Sequence, residues 1–428
     1  MRIARLLAVL FFLATSSTVL AATKAIKFGK LVDGTGRVFT NAVVIVEDDR
    51  VQSVTSGNVS IPSGAEVIDL SRYTGIPGLI DAHTHMTYYW DASLNTTPRN
   101  QPPRHPAVTV VLAQENARKA LEAGVTTIRE LNAAEGNDLA MRDLINMGKI
   151  VGPRMFVSGT GIRITRSLGP PVPIGIMVDG VDGVMRATRQ VIASGADWVK
   201  IYGSTGGFDD LTQFQTFTFE EMKAAVDVTH ALGKKIAIHS YGPAGARDAV
   251  RAGADSLEHA TDMDDQTIAE MVKRRTYYVP TIDHNQYYVE NADNVYRYPP
   301  GTKERLLDYI QRNFETARKA FRAGVRMVVG SDAVYNGWGL NMRELDWFVK
   351  MGMTPAQALK AATTEPAAML GMEKSLGAVA PGFYADIVAV EGDPLANITV
   401  VSKGDNVRWV MKAGQVLVDK TKGTEKAN

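Results

Sequence analysis

The segment most informative about the fold is Ile76-Pro77-Gly78-Leu79-Ile80-Asp81-Ala82-His83-Thr84-His85, an apolar run that ends in two histidines. Side chains at positions i and i+2 of a strand point to the same face, so His83 and His85 can reach one cation. Apolar residues before them are typical of a buried parallel strand. In an eight-stranded α/β barrel, the catalytic groups lie at the C-terminal ends of the strands. The stretch therefore predicts a metal site at the end of a first barrel strand.

Four later strand-like segments each carry a further side chain that can bind a metal ion. Lys200 lies inside an apolar segment, which is costly for an ammonium group unless it is paired or neutralised. His239, His259 and Asp332 each end a β-like run. Alone, a buried histidine is more often a hydrogen-bonded core residue, and a terminal aspartate often caps a helix. Their occurrence together, in order and at strand ends, favours a shared site.

A recurring helix-to-strand connection with a glycine favours a β/α barrel independently of these residues. Gly124, Gly195, Gly253 and Gly324 each follow a helix-like stretch and precede a strand-like one, as helix C-caps do. Ala-Gly pairs are common in any α/β protein, but four in register favour a barrel over a doubly wound sheet. Eight strands are predicted, near residues 79–85, 126–131, 154–158, 198–202, 235–240, 256–260, 277–282 and 326–332.

Short β-rich runs lie on both sides of this region, and neither side is long enough for a core of its own. We therefore expect both chain ends to meet in one small β-sandwich beside the barrel. The predicted organisation is a signal peptide, a first sandwich part, the barrel, a second sandwich part and a flexible tail, at residues 1–22, 23–75, 76–372, 373–420 and 421–428.

The first residues predict export. Arg2 and Arg5 precede an apolar run, and Val19-Leu20-Ala21-Ala22 offers small residues for cleavage. The apolar run is too short to span a bilayer, which takes ~20 residues. The chain has no cysteine, so it has neither a disulfide nor a lipid attachment site of the bacterial lipoprotein type. We expect a periplasmic or secreted protein without a stable membrane anchor.

Composition indicates an ordinary globular protein and little about its partners. The chain has 428 residues, 45% of them hydrophobic, and a net charge of +1. This balance does not indicate binding to nucleic acid or to an anionic membrane surface. We expect a small-molecule or dipeptide-like substrate, and the sequence leaves a homo-oligomer open.

The ordered set His-x-His, Lys, His, His, Asp resembles the amidohydrolase superfamily in its binuclear metal form. Within it, the chain is similar to imidazolonepropionase-like and Xaa-Pro dipeptidase-like secreted members, among which are ochratoxin-degrading amidases. The resemblance rests on the segments Gly75–Asp81, Glu258-His259, Gly330-Ser331-Asp332 and Gly377–Val388. It implies a (β/α)8 TIM barrel of the α/β class with a small β-sandwich domain.

The resemblance also implies two divalent metal ions, one held by His83, His85 and Asp332 and the other by His239 and His259. Lys200 is then expected to bridge them as a carbamate formed with carbon dioxide. An ammonium would repel both cations, whereas a neutral buried amine can become an anionic ligand. Zinc is the expected ion because imidazole ligands suit it, with manganese and cobalt as alternatives.

Two metals about 3.5–4 Å apart can generate a bridging hydroxide at neutral pH and polarise the carbonyl that it attacks. Asp332 is expected to carry the proton from this hydroxide to the departing amine. Tyr241 should point to the same side as His239 and is a candidate donor to the developing oxyanion. A tyrosine of the core or rim is an equal alternative for Tyr241.

Substrate contacts are expected in the strand-to-helix loops. Arg163 and Arg166, after the third strand, are candidates to bind a substrate carboxylate, although loop arginines are more often solvated. His284 follows the seventh strand and is a candidate to line the pocket. Similar enzymes carry a glycine-flanked histidine in the loop after strand three, and this sequence lacks it. A stiff apolar rim is predicted from Pro98, Pro102, Pro103, Pro106, Tyr88, Tyr89, Trp90, Tyr287, Tyr288, Tyr335 and Trp338.

Three functions fit these observations. The favoured one is metal-dependent hydrolysis of an amide bond, in a dipeptide or N-acyl amino acid with an apolar side chain. The second is a cyclic-amide hydrolase or a deaminase on the same scaffold; Lys200 argues against the deaminase, because mononuclear deaminases of this superfamily lack the bridging lysine. The third is a non-catalytic metal-binding barrel, although such relatives tend to lose ligands and none is lost here.

Overall fold

The computed structural model describes residues 23–57, 59–165, 175–207 and 210–421. The predicted signal peptide, Arg166 and almost all of the predicted tail lie outside the described residues. Within the described part of the chain, no helix is both long enough and apolar enough to cross a membrane.

The strands of the described segments are β1 (Thr23–Val32), β2 (Val38–Glu47), β3 (Arg50–Ser56), β4 (Glu66–Pro77), β5 (Leu79–Thr84), β6 (Val125–Glu130), β7 (Arg154–Val157), β8 (Ile162–Arg163), β9 (Ile176–Met177), β10 (Trp198–Tyr202), β11 (Lys235–Ser240), β12 (Ser256–His259), β13 (Tyr277–Val279), β14 (Arg326–Met327), β15 (Ile387–Val390), β16 (Val407–Lys412) and β17 (Gln415–Asp419).

The α-helices of the same segments are α1 (Pro106–Glu122), α2 (Asn137–Asn146), α3 (Gly180–Ala193), α4 (Phe219–Ala231), α5 (Pro243–Ala252), α6 (Asp265–Arg274), α7 (Ile282–Glu290), α8 (Thr302–Arg322), α9 (Glu344–Lys350), α10 (Pro355–Ala361), α11 (Thr364–Met369) and α12 (Thr399–Ser402).

Strands from both ends of the chain pair in one seven-stranded sheet of order β17-β16-β15-β4-β1-β2-β3. The long strand β4 pairs with β1 on one side and with β15 on the other, so the two chain ends form a continuous ladder. Its buried side chains include Phe28, Val44 and Trp409. The expected sandwich is therefore one hydrogen-bonded sheet, and β4 runs through the predicted boundary at residue 75.

The central region is α/β, with parallel strands in the order of the chain. The eight predicted strands correspond to β5, β6, β7 and β10–β14, within a few residues of the predicted bounds except that β14 is shorter. They lie in a three-stranded sheet, β5-β6-β7, and a seven-stranded sheet, β14-β13-β12-β11-β10-β8-β9. The short strands β8 and β9, which were not predicted, extend the second sheet. Closure of the strands into a complete barrel stays a prediction.

The helix-to-strand joints adopt the backbone that the sequence predicts. Gly124, Gly195, Gly253 and Gly324 have φ angles of 84°, 95°, 103° and 91°. Glycine adopts this left-handed conformation without a Cβ penalty, which ends each helix and turns the chain into the next strand. The polar ends of the strands are thereby brought to one side of the sheets.

Candidate metal centre

A cavity of about 690 Å³ lies at the C-terminal ends of the strands. All six predicted metal ligands line this cavity and are buried. They are His83, His85, Lys200, His239, His259 and Asp332. The structure thus brings together residues that are up to about 250 positions apart in the chain. Their roles as ligands stay a prediction.

Asp332 lies in the middle of the imidazoles. Its Oδ1 is 3.0 Å from His85 Nε2 and 3.7 Å from His83 Nε2. His83, His259 and Asp332 each offer a ligand atom, and these atoms lie within 4.8 Å of one another. Imidazole nitrogen and carboxylate oxygen in this arrangement suit a borderline divalent cation such as zinc.

His239 gives a second indication that a ligand is needed. Its Nε2 is buried and has no hydrogen-bond partner among the described residues. Its ring centroid lies 4.6 Å from that of His259, the residue predicted to share an ion with it. An unsatisfied buried polar atom costs roughly 1–3 kcal/mol, and coordination of a metal ion would remove that cost. The residues present therefore fit a metal centre.

The backbone is strained at two of the predicted ligands. His259 and Asp332 have φ angles of 70° and 50°, in the left-handed region that side chains other than glycine rarely adopt. Such conformations persist where the surroundings determine them, and they concentrate at functional sites. Position 330 needs a glycine for a steric reason, because a Cβ there would lie 2.8 Å from His83 Cβ and 2.4 Å from Val279 Cγ1.

The charges of the centre favour metal binding. Burial lowers the pKa of Lys200 to about 8, although Glu258 and Asp332 oppose the shift, so much more of the amine is neutral near pH 7 than for an exposed lysine. Burial, followed by the charge of Lys200, lowers the pKa of His83 and of His239. Neutral imidazoles have a free lone pair, and a neutral amine is the form that reacts with carbon dioxide.

A buried ion pair behind the centre was missed by the sequence analysis. Glu258 Oε2 lies 2.8 Å from His83 Nδ1, and Glu258 Oε1 accepts a hydrogen bond of 2.8 Å from the Arg129 guanidinium. Arg129 is fully buried and also donates to the carbonyl of Ala82. Glu258 lies in the Glu258-His259 motif that carries the resemblance, and the motif alone predicts no role for it. Arg129 gave no signal, because its segment Thr126-Thr127-Ile128-Arg129-Glu130 mixes polar and apolar residues, so the sequence does not show whether the arginine is buried.

The predicted oxyanion donor Tyr241 lines the cavity and is buried. Its ring stacks on His239, with centroids 5.2 Å apart. Burial raises the pKa of the Tyr241 phenol well above its ordinary value. The hydroxyl therefore stays protonated at neutral pH, as a hydrogen-bond donor must.

Of the predicted substrate contacts, Arg163 and His284 line the cavity. His284 Nε2 lies 3.2 Å from Asp332 Oδ2. The Arg163 guanidinium lies over the Tyr202 ring, with Cζ 3.6 Å from its centroid, and Arg163 Nε is buried without a hydrogen-bond partner among the described residues. Arg166 lies outside the described residues.

The predicted rim is right for most of its members. The four prolines line the cavity together with Tyr88, Tyr89, Tyr288 and Tyr335. Trp90, Tyr287 and Trp338 do not line it, so their inclusion was wrong. Trp90 instead donates to Thr96 within its own loop at 2.9 Å, and Tyr287 and Trp338 are buried in the core. Alternation along an irregular loop does not reveal which aromatic faces the cavity.

Residues 74–417 match the model of the Amidohydrolase family. The chain is 29% identical to ochratoxinase of Aspergillus niger over 439 aligned residues, which cover 94% of this chain and 88% of the relative. It is 22% identical to imidazolonepropionase of Fusobacterium nucleatum, over 86% of this chain and 89% of the relative.

Among solved structures, the fold is similar to that of a Xaa-Pro dipeptidase with methionine bound in its active site. The TM-score is 0.83 at 30% identity, and the alignment covers 93% of this chain and 100% of the other. The superfamily and the subtypes that the sequence suggested are thus confirmed.

Proposed function

Since this chain belongs to the amidohydrolase family, we propose that it is a metal-dependent hydrolase that cleaves the C–N bond of an amide. The observation that carries the proposal is the convergence of four imidazoles, Lys200 and Asp332 on one cavity. A barrel used only for binding would not need a buried lysine among imidazoles.

His83, His85 and Asp332 would hold one divalent ion, and His239 and His259 the second, with Lys200 between them as a carbamate. Two bound ions would supply an activated water molecule and would polarise the scissile carbonyl. Zinc is the proposed metal, because imidazole nitrogen is the commonest donor in this set.

The chain's own residues would move the protons and hold the substrate. As the water oxygen bonds to the carbonyl carbon, Asp332 would accept the water proton and pass it to the nitrogen, so that the C–N bond breaks with a neutral amine leaving. Tyr241 would donate a hydrogen bond to the carbonyl oxygen as negative charge develops on it. The contacts of the Asp332 carboxylate with His85 and His284, inside the cavity, support this role.

The substrate that we propose is a dipeptide or an N-acyl amino acid with an apolar side chain. The proline and tyrosine rim offers an apolar wall, and Arg163 offers a guanidinium whose Nε has no hydrogen-bond partner among the described residues and which suits a free carboxylate. The similar solved structure is of a Xaa-Pro dipeptidase with bound methionine, and the similar fungal protein is named for an ochratoxin. Both similarities support an amide as the bond that is cleaved, and neither identifies the acyl group.

We further propose that the eight strands close into a barrel around this site. Ala82 N–H donates to the Val329 carbonyl at 3.0 Å, next to the last strand, and Asp197 N–H donates to the Val157 carbonyl at 2.8 Å, between β7 and β10. These two contacts span both junctions between the parallel sheets, which supports closure.

The test combines metal analysis with a substrate screen. Purified protein supplied with zinc and bicarbonate should contain about two metal ions per chain and hydrolyse N-acyl amino acids or dipeptides. Lys200→Ala should lose metal and turnover together, because both depend on the same bridging ligand. Full activity and metal in Lys200→Ala would contradict the binuclear site. Cleavage confined to lactams would favour the cyclic-amide alternative, and a wild-type protein without hydrolysis would favour the non-catalytic barrel.

A further inference from the structure

The carboxylate of Asp81 joins the end of the first barrel strand to the turn that carries Asp332. It is fully buried and does not line the cavity. Its Oδ1 accepts hydrogen bonds from the backbone N–H groups of Ser331 at 2.9 Å and of His83 at 3.2 Å. Its Oδ2 accepts from Ser331 Oγ at 2.5 Å and from Asn341 Nδ2 at 2.9 Å. Four donors therefore converge on one side chain that the hydrolytic steps do not use.

The turn that these bonds hold is strained. Asp332 has a φ of 50°, and a left-handed backbone at a residue other than glycine is costly and persists only where the surroundings impose it. Two further bonds complete the connection: Asp332 N–H donates to the His83 carbonyl at 2.7 Å, and Ala333 N–H donates to Ser331 Oγ at 3.0 Å. Ser331 thus lies between Asp81 and the strained residue.

We infer that Asp81, through Ser331 and Asn341, is the positioning residue that holds the Asp332 carboxylate against the imidazoles of the metal centre. The inference rests on the proposed role of Asp332 as a metal ligand. It also gives a physical reason for two parts of the sequence motifs, the aspartate two positions before His83 and the serine directly before Asp332. Asp81 touches neither the cavity nor the reacting atoms, so it acts only through its partners.

The test exchanges the hydrogen-bonding groups of Asp81 and Asn341. Asp81→Asn keeps the Oδ1 acceptor for both backbone donors but turns an NH2 group towards Asn341 Nδ2, so that two donors face each other. Asn341 cannot turn its amide freely, because its Oδ1 accepts from Gly339 N–H at 3.0 Å. Asn341→Asp alone places two carboxylates opposite each other. The double variant Asp81→Asn/Asn341→Asp again pairs one donor with one acceptor, with their positions reversed.

Each single variant should bind zinc about 10- to 100-fold more weakly, as measured by titration of the metal-free protein, and should lose a similar factor in kcat with a smaller change in KM. The double variant should recover most of both losses. Ser331→Ala, which removes one donor without a new clash, should shift both quantities in the same direction and keeps the inference testable if Asp81→Asn does not fold.

Asp33→Asn is the matched control. Asp33 is also fully buried and accepts backbone hydrogen bonds, from Thr35, Gly36 and Arg37, but it lies in the terminal sheet region. The Asp33→Asn variant should have a lower melting temperature than the wild type and an unchanged zinc affinity and kcat. Single variants with wild-type zinc affinity and kcat, or a double variant no better than the singles, would overturn the inference. A wild-type protein that binds no zinc would instead contradict the proposed function.

Discussion

His83 Nδ1 lies 2.8 Å from Glu258 Oε2, and both side chains are buried. This contact turns the other ring nitrogen, Nε2, towards Asp332 Oδ1, 3.7 Å away. A carboxylate on the far nitrogen of a metal-binding histidine fixes its tautomer and its ring orientation. Arg129 holds Glu258 in turn, so the position of His83 depends on a buried ion pair as well as on its own strand.

Glu258→Gln should weaken zinc binding about 10- to 100-fold, the usual effect of losing such a partner. Glutamine keeps the size of the side chain but removes the charge that pairs with Arg129. Isothermal titration of the metal-free protein with zinc measures the change, and thermal unfolding of the same metal-free sample separates it from a loss of folding. Unchanged affinity would show that His83 needs no oriented partner.

Asp332→Asn should lower kcat by about a hundredfold or more, because a proton carrier is lost and a ligand is weakened. Burial alone would raise the pKa of Asp332, but the imidazoles of His284, His83 and His85 together bring it below its ordinary value. The carboxylate should therefore stay ionised throughout the pH range above about 4, where an unperturbed aspartate titrates.

The measurement is kcat as a function of pH for the wild-type protein and for Asp332→Asn. Any decrease of the wild-type rate between pH 5 and 7 should come from a group other than Asp332. A variant that keeps the wild-type rate would mean that another residue carries the proton.

The sequence predicted the positions of the strands to within a few residues, because each signal was local, and the structure brings the six predicted ligands to one cavity. His83 and His85 follow an apolar run of strand length, and Gly124 and its counterparts mark where helices end. The spacing of such features along the chain is enough to order parallel strands.

Buried charges were the part that the sequence could not reveal. Arg129 and Asp81 lie in predicted strands, but their partners, Glu258 and Asn341, are 129 and 260 residues away. Only the folded chain shows that these side chains meet. The strand β8, which carries Arg163, was not predicted for a different reason: two residues are too few to show a periodicity.

Glu344 should make stability depend on pH. It accepts hydrogen bonds from the backbone N–H groups of Ile282 at 2.9 Å and Asp283 at 2.8 Å, but burial raises its pKa from 4.5 to about 8. The folded state then holds a proton that the unfolded state releases between these two values. The stability contributed by this proton is complete below pH 4.5 and is lost as the pH rises through about 8.

Urea denaturation at pH 5 and at pH 8.5 tests this for the wild-type protein and Glu344→Gln. Glutamine does not titrate, so the free energy of unfolding of the wild type relative to the variant should decrease between the two pH values. A constant difference between the two proteins would contradict the raised pKa.

Export is expected from the first residues of the sequence. Protein recovered from a bacterial periplasm should begin at Ala22 or Thr23 and carry no lipid, because the chain has no cysteine to which a lipid could be attached. Mass spectrometry of the intact protein decides the point. An intact Met1 in the membrane fraction would indicate an uncleaved anchor.

Arg163 should make turnover depend on a free carboxylate in the substrate. A charge-assisted hydrogen bond contributes about 1.5–3 kcal/mol, so capping a dipeptide as its C-terminal amide should lower kcat/KM about 10- to 100-fold. Arg163→Lys keeps the charge but not the fork that binds carboxylates at two points, and it should lose most of this preference. Equal kcat/KM for the acid and the amide in the wild-type protein would contradict a carboxylate contact and leave the metal site untouched.

Tyr202 provides a matched pair of variants for the same preference. Its ring supports the Arg163 guanidinium, 3.6 Å from Cζ, while Gly175 leaves room for the stem, since a Cβ there would lie 2.8 Å from Arg163 Cδ. Tyr202→Phe keeps the ring and should keep the acid-over-amide ratio, whereas Tyr202→Leu removes a cation–π contact of about 0.5–2 kcal/mol and should lower the ratio several-fold. Effects of the substitutions on the metal centre cancel in this ratio, because the acid and the amide substrate depend on the metal centre equally. If phenylalanine and leucine at this position gave the same ratio, the ring would not be what holds Arg163 in place.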